Sequence, residues 1–424
     1  MGMVRVFDPL YGEICLSSPV AELVLCPALQ RLREIRLSNI DSVRMPGIAN
    51  VSRHEHVVGA AYLATQAGFF SRLSRRDAVV FEAAALLHDV GIAPFGHLVE
   101  EALQYKSVKF NHEKKFATLL EQGGAKELGG VELQLYAGHE SGIRAWADRA
   151  FGNDSDECLG AILASIAGQS PFGGVVGGGL DVDNLDNLTR IAFHMGLEVD
   201  RTLPLRIAAS MLESKGAGPP VFSASGVEAA REWLDLRWRV YSRLMLARED
   251  FAGKAMLIFA TVNAFELGEL GPEEYVWTLT DREIVERLLR SADGAVVQAI
   301  RSWLLRDLWP VSDLWWMEGS APDFSRVYEF GKVVGTSLGR PCVAYRITDK
   351  RVRRLSLPVQ GNGVVEIGEE PGSWVLGVVS AKRGAFSGDE NRKLKAEACA
   401  FFGADCVGEE GTNEREQAGL RLFE

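Results

Sequence analysis

Cysteine is sparse in this 424-residue chain: Cys15, Cys26, Cys158, Cys342, Cys399 and Cys406 are six in all, and no two form a CxxC pair. A chain of this length can bury a sizeable core without cross-links. Six free thiols in a reducing, cytoplasmic setting are therefore expected. Long apolar runs are lacking as well; none reaches the roughly 20 residues that a membrane-spanning helix needs. The opening Met1-Gly2-Met3-Val4-Arg5-Val6 has neither the apolar stretch of a signal peptide nor the Ser or Thr of a myristoylation site. A soluble chain with no membrane partner is predicted. Positive charge is in deficit too. The net formal charge of -11 speaks against a polyanion-binding module as a whole, while leaving room for a local basic site. Nucleic acid is accordingly a disfavoured partner. Strand signals are nearly missing before residue 335, apart from a short hairpin between Val6 and Cys15. No internal repeat is evident.

What is present is mostly helix. The run Asp77-Ala-Val-Val-Phe-Glu-Ala-Ala-Ala-Leu-Leu87 is apolar on nearly all faces, as a buried helix is. Gly91 and Pro94 close it. Further helical patterns run near 21–37, 56–74, 112–121, 133–151, 156–167, 183–196, 203–213, 226–249, 252–266, 281–291 and 293–305. After about Gly335 the character changes. Val343 to Thr348 and Trp374 to Ser380 are β-rich, Gly361-Asn362-Gly363 reads as a turn between strands, and Glu390 to Phe402 reads as one amphipathic helix. The polar segment from Gly408 reads as a tail. The fold class is thus mainly α: a helical domain over 1–335, with an inner bundle at about 50–195, and a small α+β C-terminal lobe over 336–424 that includes the tail.

The chemistry gathers around His88-Asp89, at the end of the apolar helix. By itself a His-Asp pair is more often a surface pair at a helix terminus. Here Arg53-His54-Glu55-His56 opens a helical run upstream, and Gly177-Gly-Gly-Leu-Asp181-Val-Asp183-Asn opens another downstream. Two imidazoles and two carboxylates from three helices can close around one divalent cation, with Mn, Fe, Zn, Mg, Co and Ni all compatible. Such a set leaves positions open for water and a phosphate oxygen.

An ordered series of motifs accompanies these residues: Val6-Phe-Asp-Pro-Leu-Tyr-Gly-Glu-Ile14, Gln30-Arg31-Leu32-Arg33, Arg53-His54-Glu55-His56, His88-Asp89-Val-Gly-Ile-Ala-Pro-Phe-Gly-His97, Asn111-His112-Glu113 and Asp181-Val182-Asp183. In this order the chain resembles the HD-domain deoxynucleoside triphosphate triphosphohydrolases, well over about 4–300 and more loosely through Leu279-Thr-Asp-Arg282 and the terminal lobe. The resemblance implies an HD helical bundle and one divalent metal ion held by His56, His88, Asp89 and Asp183. It implies that His112 is the catalytic histidine with Glu113 its acidic neighbour, and that His97 stands near the phosphates. Arg53 would contact phosphate and Gln30 the sugar. The implied reaction turns a deoxynucleoside triphosphate into deoxynucleoside and triphosphate. Family members are commonly homo-oligomers, some with a nucleotide activator.

Several positions depart from the family. Ile92 stands where a second histidine often follows the HD pair. Asn184 and Asn187 stand where the family has a phosphate-gripping lysine and a sugar-packing tyrosine, and Ile191 where it has an aspartate. These two asparagines are taken as substrate-binding positions in a rebuilt pocket. A base-proximal tyrosine has no clear match within 241–250, Tyr241 fitting only with a register shift. Another nucleotide or phosphorylated metabolite is therefore an alternative substrate, and a nucleotide-sensing or nucleic-acid-binding regulator is a further alternative. A second ion on His97 and His112 would make the site dinuclear.

The remaining polar residues have plainer readings. Asp181 is expected to cap its helix and Asp186 to pair with Arg190 one turn on. His54 is expected to face away from the ion, and His139 and His194 to be structural or solvent-facing. Lys350-Arg-Val-Arg-Arg354 reads as a solvated strand or turn, and Trp303, Trp309, Trp315 and Trp316 as core or interface.

Overall fold

The computed structural model describes residues 2–38, 45–105, 112, 117, 142–213, 218–271, 273–381 and 384–409. Glu113, Asn111 and His139 lie outside them. The N-terminal hairpin forms as expected, pairing Met3–Asp8 with Gly12–Ser17. The pattern near 21–37 breaks into Ser18–Leu23, Pro27–Arg31 and a 3-10 turn over Leu32–Glu34. Pro27 causes the break, because it cannot donate the backbone hydrogen bond that would continue the first helix.

Six helices frame the site: α1 (Arg53–Thr65), α2 (Arg75–Leu87), α3 (His97–Tyr105), α4 (Val182–His194), α5 (Ala224–Leu244) and α6 (Arg248–Glu266). Side chains just before three of them satisfy orphan N–H groups at the helix start. Ser52 accepts from Glu55 N, Ser74 from Asp77 N, and Asp181 from Asn184 N. In α1 the small residues Gly59, Ala60, Ala61 and Ala64 let neighbours approach closely. A Cβ on Gly59 would sit 2.2 Å from both Arg190 Nη2 and Asp186 Oδ1, so only glycine fits there.

Two apolar cores form. One joins the hairpin, α1, α2, α4 and α5 with Leu355, Leu357, Val359 and Ile367; the other joins α3, α6 and the rest of the C-terminal lobe. The chain passes from the first to the second between Ile92 and Ala93, just after His88-Asp89. That seam is pinned by buried polar groups. Arg31 donates to the carbonyls of Ile92, Trp277, Thr278 and Leu279. Asp281 accepts from Phe95 N at 2.6 Å and from Arg36 N and Nε at 3.1 and 3.0 Å.

The lobe contains an antiparallel sheet in the order Cys406–Glu409, Trp315–Glu318, Ser373–Ser380, Cys342–Thr348. Its second strand comes from before residue 335. A second sheet joins Met211–Glu213 and Val221–Phe222 to Leu355–Val359 and Gly363–Ile367. The helical pattern over 203–213 accordingly ends at Ser210. Strands thus cross the expected boundary at 335 in both directions. The four tryptophans 303, 309, 315 and 316 are buried in the second core. Among the described residues no helix is long and apolar enough to cross a membrane.

Candidate metal centre and substrate cleft

The end of α2, the first turn of α1 and the first turn of α4 meet at the seam. His56 Nε2 lies 3.1 Å from Asp183 Oδ1 and 3.9 Å from Asp89 Oδ2. His88 Nε2 lies 3.6 and 3.7 Å from the same two oxygens. Donors bound at about 2.1 Å to one ion stand about 3.0–3.4 Å apart for right-angle to tetrahedral geometry, so these spacings suit a shared cation. His56, His88 and Asp183 form the tight triad. Asp89 closes another side and also accepts a hydrogen bond from Arg53 Nη1.

The donors themselves fit a metal. Among the described residues the buried Nε2 atoms of His56 and His88 make no well-aligned hydrogen bond and face only the Asp89 and Asp183 carboxylates, a costly state without an ion to share. Their other nitrogens are fixed: His56 Nδ1 donates to Asp186 Oδ2 and His88 Nδ1 to the carbonyl of Ala85, each at 2.8 Å. Both Nε2 lone pairs therefore face the centre, as ligand histidines require. Without an ion, burial would discharge His88, but Asp89 and Asp183 outweigh it and raise its pKa to about 10. His56 is raised in the same way by Asp183 and Asp186 against burial. Burial works against the Asp89 charge, yet Arg53 and His88 hold its carboxyl well below the usual range.

Behind His56 runs a buried chain of charges. Asp186 takes Arg190 in a two-pronged contact at 2.9 and 2.8 Å, and Arg190 also reaches Asp8 and Glu55. Glu55 in turn accepts from His194 Nε2 at 2.9 Å. The expected Asp186–Arg190 pair and Asp181 cap are both present, and His194 is a satisfied structural histidine.

On the far side of Asp89 stands His112, with Nε2 at 4.0 Å from Asp89 Oδ1. Its Nδ1 donates to Glu100 Oε1 at 2.9 Å, and His97 Nδ1 donates to Glu100 Oε2 at 2.9 Å. One carboxylate thus orients two histidines. Glu100 was missed by sequence reasoning, although His97-x-x-Glu100 is the i, i+3 spacing that places two side chains on one helix face. With both Nδ1 atoms engaged by Glu100, the two Nε2 atoms are left for chemistry.

A cleft opens beside this centre. Its walls include Arg53, His97, Asn187 and Ile191 from the helical part, Tyr241 and Lys254 from α5 and α6, and Tyr345, Arg346 and Lys350 from the lobe. The positive-φ Gly96 (φ 60°) sits 2.7 Å, by its would-be Cβ, from Arg53 Nη2, so a side chain there would displace the guanidinium. Asn187 lines the cleft, whereas Asn184 is spent on Asp181 and on Arg353 Nη1. Gln30 is not among the lining residues; it donates to the carbonyl of Val24 and accepts from Arg33. The basic run at 350–354 is not simply solvated. Lys350 lines the cleft, Arg351 lies over Trp316 and pairs with Asp349, and Arg353 holds Asn184. Sequence separation hid this, because the run returns to α4 across more than 160 positions. A larger groove of about 560 Å³ shares Phe95 but lacks Arg53 and His97, the two lining residues that tie the cleft to the centre.

Residues 53–166 match the family model for the HD domain. The chain carries an HD domain. Its His56, His88 and Asp89 fall inside the match, and Asp183 follows it. The deoxynucleoside triphosphate triphosphohydrolase SAMHD1 of Danio rerio is 27% identical over 223 residues, 46% of this chain and 34% of that protein. The human SAMHD1 is 31% identical over 138 residues, 29% of this chain and 22% of that protein. An uncharacterized protein of Methanocaldococcus jannaschii is 23% identical over 246 residues, 58% of this chain and 46% of that one. The chain thus spans less than half the length of these curated relatives. A phosphohydrolase from Bacteroides thetaiotaomicron shares the fold, with a TM-score of 0.63, 19% identity, and coverage of 88% of this chain and 98% of that one. The fold of this chain therefore recurs over most of its length in a solved structure.

Proposed function

We propose that this chain is a metal-dependent phosphohydrolase that cleaves a deoxynucleoside triphosphate to deoxynucleoside and triphosphate. The observation that carries the reading is the convergence of two buried imidazole nitrogens and two carboxylates beside a histidine pair and a cation-lined cleft. His56, His88, Asp89 and Asp183 would hold one divalent ion, which when bound supplies charge neutralisation at phosphate and acidified water. Arg53 keeps one nitrogen on Asp89, and among the described residues its buried Nε has no partner; that N–H can donate to a phosphate oxygen. His112 resists burial because Glu100 and Asp89 favour its charged form, which raises its pKa. At neutral pH it can therefore give a proton from Nε2 to the departing sugar oxygen as water bonds to phosphorus. His97, held by the same carboxylate, can donate to a phosphate oxygen.

The test is product identification after incubation of the protein with Mn and each deoxynucleoside triphosphate. Triphosphate and deoxynucleoside should form from at least one, and Asp89→Ala should lose at least about a hundredfold in rate, the scale of a lost general acid or metal ligand. Full metal occupancy with no turnover across the panel would overturn the reading. A second reading, the same chemistry on another phosphorylated substrate, is favoured by Asn187 and Ile191 in the cleft wall. Orthophosphate as product would select it.

A further inference from the structure

Three of the four ligand side chains are held from behind by a bond of their own. His56 rests on Asp186, His88 on the Ala85 carbonyl and Asp89 on Arg53. Asp183 differs. Among the described residues its carboxylate faces the two ligand histidines, and no donor outside the ligand set reaches it. It is also the most exposed of the four side chains, at 33% against 9% or less. Its place is therefore set by the first turn of α4, which carries it. Gly177-Gly178-Gly179 leads into that turn and offers no side chain to brace it.

The brace comes from the C-terminal lobe. Arg353 stands just before the strand Leu355–Val359 and reaches both sides of the turn. Its Nη1 donates to Asn184 Oδ1 at 2.9 Å and its Nη2 to the Gly178 carbonyl at 3.4 Å. A guanidinium only donates, so it fixes Asn184 with the amide oxygen toward the lobe and the NH2 toward Asp181. Asn184 Nδ2 then donates to Asp181 Oδ1 and Oδ2 at 2.9 and 3.0 Å, beside the capping bond from Asn184 N at 2.6 Å. Gly178 N donates to the same carboxylate. Arg353, Asn184, Asp181 and Gly178 thus close a ring at the start of the helix that bears Asp183. The placement has a cost. Arg237 on α5, already pushed down by burial, feels Arg353 as a like charge. Such a neighbour is unfavourable unless other contacts offset the repulsion, and the ring supplies them.

We propose that Arg353 is a positioning residue for the metal centre. The C-terminal lobe holds Asp183 in ligating position through Arg353, Asn184 and the first turn of α4, although among the described residues Arg353 touches no ligand side chain. This rests on the metal-dependent phosphohydrolase reading of the centre.

Mn binding to the full-length chain, followed by loss of the free-ion electron paramagnetic resonance signal, tests this apart from turnover. Arg353→Gln should weaken Mn binding about tenfold, the low end of the cost of removing a group that orients a metal ligand. Arg353→Lys keeps the charge but gives up the fork, and should recover part of the loss. Arg354→Gln, one residue on at an exposed position paired with Glu366, should bind Mn as the wild type does. Asn184→Ala cuts the same path from the other end without touching the lobe. It should lose affinity to a similar degree, and adding Arg353→Gln to it should change little further. Wild-type affinity in folded Arg353→Gln or Asn184→Ala, losses that add in the double variant, an equal loss in Arg354→Gln, or a wild-type chain that takes up no Mn would overturn the proposal. Failure of the phosphohydrolase reading would look different: Arg353-dependent Mn binding with no turnover of any phosphorylated substrate.

Discussion

His56 is engaged at both ring nitrogens, one by the centre and one by Asp186, so its quality as a ligand depends on residues that never reach the cleft. Asp186→Asn should lower metal affinity about 10- to 100-fold, the usual cost of losing a carboxylate behind a ligand histidine; competition with a chelating dye would measure it. Gly59→Ala should destabilise the protein by about 3 kcal/mol or more, because the new methyl strikes a buried ion pair; urea unfolding gives the number. The protonation of His88 gives a pH signature. Its pKa in the metal-free fold, about 10, exceeds the ordinary histidine value of 6.5. The stabilisation is full below pH 6.5 and is lost as pH rises toward 10. The metal-free Tm should therefore fall between pH 6.5 and 8. Above 8 an opposing contribution enters, as Lys254, lowered by burial to about 8, sheds its proton. A bound metal should flatten the fall, since ligation holds both rings neutral.

At the scale of elements, the clustering of His56, His88, Asp89 and Asp183 was legible because each sits near a helix end with a readable start or stop. Ser52 and Asp181 announce α1 and α4, and Gly91 and Pro94 end α2. The Gly361-Asn-Gly363 turn and the strands around it were equally plain, since glycine supplies the positive φ at 361 and 363. Three things were not legible. The strand Trp315–Glu318 reads as part of an aromatic cluster until its partner Ser373–Ser380 is placed beside it. Glu100 went unread although it stands one helical turn from His97, while Glu113, the acidic neighbour expected for His112, lies outside the described residues. Gln30 carried a family role, yet its side chain donates back to the Val24 carbonyl at the end of the preceding helix. Contacts made by tertiary packing leave little local trace, and resemblance fills that gap only where the surrounding residues are retained.

For the whole molecule, two cores meet at the chemistry, and strands from both sides of residue 335 knit them together. A chain ending at 335 would lose three strands from one four-stranded sheet and two from the other, including Ser373–Ser380, which pairs with Trp315–Glu318. It should be insoluble or lack a cooperative thermal transition, as near-UV circular dichroism would report. The recurrence of the fold across nearly all of the Bacteroides thetaiotaomicron phosphohydrolase fits a lobe that is integral to the fold. The turn between the two cores carries one more consequence. Phe95 adopts φ 53°, a left-handed conformation that bulky side chains rarely take, and Asp281 receives its N–H from 186 positions away. That distant carboxylate therefore acts as a latch: release it, and the peptide is free to relax, swinging His97 out of register with His112. Damage far along the chain would then masquerade as a fault in proton transfer while every ligand of the ion stayed in place.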